Sequence, residues 1–112
     1  MEKRIDLITR ELNDKKAEDI LVFDLRDKDY FVDCVVIATS MGERHGLSLL
    51  DHLKTTLKAN GESFINIDAS PDWIVIDLGD LLIHILTENF RAKYNLEEFL
   101  TQRKEEIIKQ KI

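Results

Sequence analysis

The chain has 112 residues, 44% of them hydrophobic and 34% charged, which suits one soluble domain with a real core and leaves no room for two. No apolar run reaches the roughly 20 residues of a membrane helix, and the opening MEKRIDLITREL is charged throughout, unlike a signal peptide or an organellar leader, so a cytoplasmic location is expected. The net charge of −6 disfavours nucleic acid as the main direct partner and suits a basic protein surface. Cys34 is the only cysteine, which excludes an internal disulfide and a cysteine metal cage.

The first predicted element is a helix over Lys3 to Asn13, with Ile5, Ile8 and Leu12 on one stripe. A strand over Ile20 to Leu25 follows; its four consecutive apolar residues predict burial on both faces. Arg26 to Asp29 is a polar turn, and Tyr30 to Thr39 a second, central strand rich in β-branched residues, so that the two form a hairpin. Ser40 and Glu43 have capping-box spacing at the head of a helix that runs to Ala59, with Leu49, Leu50, Leu53 and Leu57 inward and Asn60-Gly61 as the stop. A short strand over Ser63 to Ile67 comes next. Strand, helix and strand in one sheet imply a right-handed crossover with parallel strands.

Pro71 lies in a turn that leads into Trp73 to Leu78, then Gly79-Asp80, then Leu81 to Leu86, which together read as a tight antiparallel hairpin. Alternation places Asp77 with Trp73 and Val75, and His84 with Leu82 and Leu86. Thr87 caps a short helix, ENFRAKY, which Asn95 ends. Residues 101 to 112 are expected to be a C-terminal helical tail beyond a domain of residues 1 to 100. The pattern is an α/β (α+β) domain with a mixed sheet of about five strands and helices packed on it.

The polar residues in the apolar hairpin carry the candidate chemistry. Asp77 and Asp80 can shape the turn through side-chain bonds, can face a partner, or with His84 can hold a divalent cation; the turn reading is the simplest. Cys34, in an apolar run, reads as inert filling. His45 and His52, seven apart, share one helix face. Gly42 and Gly46 flank a helix start that could take phosphate, but Glu43 there opposes it. Neither a Walker loop, a dinucleotide fingerprint nor a G-x-S-x-G elbow is present. Arg91 and Lys93, beside Tyr94, read as a solvated helix face or a bridge to a partner, and Trp73 as a core anchor or an interface hot spot.

In order and spacing, Trp73, Asp77, Gly79, Asp80, His84, Arg91, Tyr94, Leu96 and Glu97 resemble the ribosomal silencing factor family, RsfS, also called Iojap. Upstream, Asp24-Leu25, the run Asp33 to Ile37, Thr39 and Arg44-His45 extend the likeness over roughly residues 5 to 100. The family pattern commonly ends in Leu-Trp where this chain has Phe99-Leu100, and often has a glycine where Ile67 stands. The resemblance implies a nucleotidyltransferase-like topology without transferase activity and with neither cofactor nor metal. It further implies binding to the large ribosomal subunit through its ribosomal protein fourteen, which blocks small-subunit joining and represses translation, with homodimers as a family tendency. Trp73, Asp77, Gly79, Asp80, His84, Arg91 and Tyr94 are then the expected partner-binding residues. The rival expectations are a metal-dependent nucleotidyltransferase-like enzyme using Asp77 and Asp80, and a dimeric scaffold for another basic partner.

Overall fold

The elements follow in the expected order in the computed structural model, which describes residues 1–96, 98 and 100. They are α1 (Glu2–Asp14), β1 (Glu18–Asp24), β2 (Cys34–Ser40), α2 (Glu43–Ala59), β3 (Asn66–Ala69), β4 (Trp73–Asp77), β5 (Leu81–Thr87) and α3 (Glu88–Tyr94). The five strands make one mixed sheet in the order β1-β2-β5-β4-β3. Only β2 and β5 pair in parallel, with Cys34 opposite Leu81 and Ser40 opposite Thr87; the other neighbours are antiparallel. It follows that β3 runs parallel to β2, as the crossover requires, but β5 and β4 lie between them.

Each face of the sheet has its own core. On one, Ile8 and Leu12 of α1 and Leu49, Leu53 and Leu57 of α2 meet Val36, Ile76, Ile83 and Ile85. On the other, Leu25, Val32, Val35, Ile37, Leu82 and Leu86 pack together, with Phe90 and Trp73 partly buried against them. All seven residues of β2 are buried, which fits its central place and its near-continuous apolar sequence. A fully buried Leu or Ile contributes about 1.5–3 kcal/mol, so these alternating strand residues carry the fold.

Several expectations are corrected. The strand at Ile20 to Leu25 is not buried on both faces: β1 is an edge strand, with Leu21 and Val22 39% and 41% exposed. An apolar run cannot tell a central strand from an edge lying beside helices. Tyr30 to Asp33 lie outside β2, because the chain must climb from the turn before it pairs. The Leu25 N–H donates to the Asp33 carbonyl (2.8 Å) and the Asp33 N–H to the Asp80 carbonyl (2.9 Å). The capping box does not form. Ser40 ends β2 as a buried residue, Gly42 takes the N-cap position of α2 without a side-chain bond, and the Met41 N–H donates instead to His45 Nδ1 (2.9 Å). The strand expected over Ser63 to Ile67 begins later, at Asn66, in the register set by Ile67 opposite Ile76. Thr87 does precede α3, but its hydroxyl bonds Asp72 (3.0 Å) rather than the helix. Asn95 ends α3 in the left-handed conformation, as expected. The tail from 101 to 112 lies outside the described residues.

Candidate functional site

The hairpin of β4 and β5 positions the site. Trp73 pairs with Leu86, Val75 with His84 and Asp77 with Leu82, so Trp73, His84 and Asp77 share the face away from α1 and α2, as alternation predicts. The Trp73 indole N–H donates to His84 Nδ1 at 3.0 Å. That bond requires a neutral imidazole with its proton on Nε2, and burial lowers the His84 pKa to about 4. Tyr94, at the end of α3, lies 5.1 Å from Trp73 and 5.5 Å from Phe90, ring centre to ring centre. Tyr94 is 46% exposed, so the aromatic cluster opens to solvent. Lys93 sits over the Tyr94 and Phe90 rings, 5.3 and 5.7 Å from their centres.

Beyond His84 an apolar slot of about 180 Å³ opens among Tyr30, Phe31, Leu82, Leu96 and Leu100. Phe31 stands 73% exposed at its rim. On the other side β3 places Asn66 opposite Asp77 and Asp68 opposite Val75, and residues paired across a sheet share a face. The face is therefore an aromatic centre with an acidic margin.

The remaining motif residues do other work. Asp77 accepts the Gly79 N–H (2.8 Å), and Gly79 has φ +95°, so this carboxylate shapes the turn as expected. Asp80 turns away toward α1, where Arg4 binds it through two nitrogens, at 2.7 and 2.9 Å. The Arg4 hydrogen bonds hold its carboxyl below the usual carboxylate range. The same guanidinium binds Glu62 at 2.6 and 3.1 Å. The solvated-face reading of Arg91 is corrected: it is buried, and it donates to Thr39 Oγ1 (2.7 Å) and to the Asp19 carbonyl, tying α3 to β2 and β1. Cys34 is fully buried, and burial pushes its thiol up to about 11, consistent with inert filling. His45 and His52 do share a face, turned toward α1: His45 Nε2 donates to the Lys15 carbonyl (2.8 Å), and His52 lies 4.0 Å from Glu11.

Asp77 and Asp80 thus diverge rather than converge, and among the described residues no three His, Cys, Asp or Glu side chains gather as a metal would need. Sequence reasoning missed Arg4, Phe31 and Asp68. Arg4 carried a signal: it lies four residues before Ile8 and eight before Leu12, a cation on the buried stripe of α1.

Comparison with known proteins places the fold and the family. The family described as "Ribosomal silencing factor during starvation" matches residues 1–112. A ribosomal silencing factor of Haemophilus influenzae is 31% identical over 96 residues, covering 84% of this chain and 94% of that protein. The mouse protein named for mitochondrial assembly of the ribosomal large subunit is 27% identical over 104 residues, covering 88% of this chain and 46% of that one. A crystal structure of a Chromobacterium violaceum protein superposes with a TM-score of 0.84 at 22% identity, over 89% of this chain and 85% of that one. With a family match over its whole length, on a fold shared with solved structures, the chain belongs to the RsfS family of ribosomal silencing factors.

Proposed function

We propose that this protein silences ribosomes in the cytoplasm by occupying the large subunit at its ribosomal protein fourteen, so that the small subunit is sterically excluded. No chemical step is involved. The observation that carries this reading is the solvent-open aromatic cluster of Trp73, His84 and Tyr94 on a sheet face that α1 and α2 leave uncovered. Aromatic centres ringed by polar groups are what protein interfaces use as hot spots. Phe31 and the acidic Asp68 form the margin that would meet a basic protein. The net charge of −6 favours the same partner class. The mouse relative's name, which refers to assembly of the large subunit, points the same way.

In this reading Trp73, His84 and Tyr94 touch the partner, while Asp77, Gly79, Asp80 and Arg91 hold the surface in shape. An enzymatic reading through Asp77 and Asp80 is disfavoured by their separate engagements with Gly79 and Arg4. A second copy could use the same face, in which case subunit binding and self-association compete. The test is co-sedimentation with purified large subunits. Tyr94→Ala removes a half-exposed ring and should leave the fold intact while weakening binding by about 2 kcal/mol. Trp73→Ala should weaken it further. Undiminished binding by both variants would refute this surface.

A further inference from the structure

Resting on that docking face, we propose that Arg4 is a positioning residue for it: acting through Asp80, Arg4 sets the Tyr30–Asp33 segment and holds Phe31 at the margin of the aromatic face. Arg4 belongs to the first turn of α1, which packs against the opposite side of the sheet. Its fork grips Asp80 at 2.7 and 2.9 Å and Glu62 at 2.6 and 3.1 Å. Asp80 faces two ways. Its carboxylate goes to Arg4, while its backbone carbonyl accepts the N–H groups of Asp33 (2.9 Å) and Cys34 (3.3 Å). At the other end of the segment, the Leu25 N–H donates to the Asp33 carbonyl at 2.8 Å. Tyr30 and Phe31 lie inside the loop so closed, their rings 4.6 Å apart, and Phe31 projects into solvent.

Without Arg4, two carboxylates that now share one guanidinium would face each other as like charges. The simplest relief is for the β4–β5 turn to swing out, and the Asp80 carbonyl would carry Asp33 and Phe31 with it. A lysine keeps the charge but cannot bridge both carboxylates with a planar fork.

The test is a double-mutant cycle read by binding to purified large subunits, with wild type, Arg4→Met, Phe31→Ala and the double variant. Arg4→Met should raise Kd about threefold or more, and should add little once Phe31 is already alanine, because contacting or coupled residues are non-additive. A general loss of stability would instead multiply the two effects. Amide exchange at Asp33 and Cys34 should quicken in Arg4→Met while the β5 amides stay protected. If Arg4→Met proves unfolded, Arg4→Lys takes its place in the same cycle. Multiplying effects, or unchanged exchange at Asp33 and Cys34, overturn the proposal. Wild-type affinity in Arg4→Met alongside weak binding by Tyr94→Ala overturns this proposal alone. Full affinity in Tyr94→Ala and Trp73→Ala overturns the docking face, and this proposal with it.

Discussion

His84 ties stability to pH through its burial. In the folded chain it stays neutral down to about pH 4, because burial opposes its charge and Nδ1 is occupied by the Trp73 N–H. In the unfolded chain it protonates near the ordinary histidine value of about 6.5. Between these values the unfolded state binds a proton that the native state refuses, so stability falls as the pH drops. The loss is about 1.4 kcal/mol per pH unit across that interval, and this group contributes nothing above it. His84→Gln, which keeps an acceptor for the indole, should flatten the interval. Urea unfolding at pH 7 and pH 5, followed by fluorescence of the single tryptophan, reads the difference. Parallel pH dependence in the two proteins would contradict this account. Arg91 carries the opposite lesson: a cation near an aromatic suggests solvent, yet here the guanidinium is enclosed by Thr39 and the Asp19 carbonyl. Its partners lie 52 and 72 residues upstream, beyond the reach of local pattern.

Among the elements, the β4–β5 turn is the most tightly specified. Gly79 sits at φ +95°, and a Cβ there would meet only Ile65, at an ordinary 3.6 Å. The cost of Gly79→Ala is therefore conformational rather than steric. It should lower stability by about 1–2 kcal/mol, read as a shift in the urea midpoint; an unchanged midpoint would mean the turn has another accessible form. This hairpin was legible because its signals are local: short apolar runs on either side of a glycine turn, with the Asp77 carboxylate two residues from the amide it accepts. The bounds of α3 were legible for the same reason, from Thr87 and Asn95. The capping box at Ser40 failed because pairing with β5 claims Ser40 for the sheet, so tertiary context overrode a short motif. Arg4 escaped notice because its ion pair with Asp80 spans 76 residues. The docking face was therefore half legible: which residues share it follows from alternation, while which of them are held in place and which are free to meet a partner depends on distant contacts.

At the scale of the whole molecule, the acidic balance makes binding to a basic partner sensitive to ionic strength. Raising salt from 0.05 to 0.3 M should weaken large-subunit binding by roughly tenfold. Asp68→Asn, at the margin of the face, should flatten that dependence, whereas Tyr94→Ala should lower affinity and keep the slope. Equal slopes in wild type and Asp68→Asn would remove Asp68 from the margin. The sheet order was the least legible feature, since nothing local says that β5 inserts beside β2. That insertion also governs how the chain is born. The only parallel ladder among the described residues joins Cys34–Ser40 to Leu81–Thr87, so the midline of the sheet cannot close until Thr87 has left the ribosome that makes it. Until then β2, apolar on both faces, has only β1 beside it. A nascent chain stalled before Leu81 should thus expose the open edge of β2 and be prone to aggregate, and late, long-range closure should slow its folding.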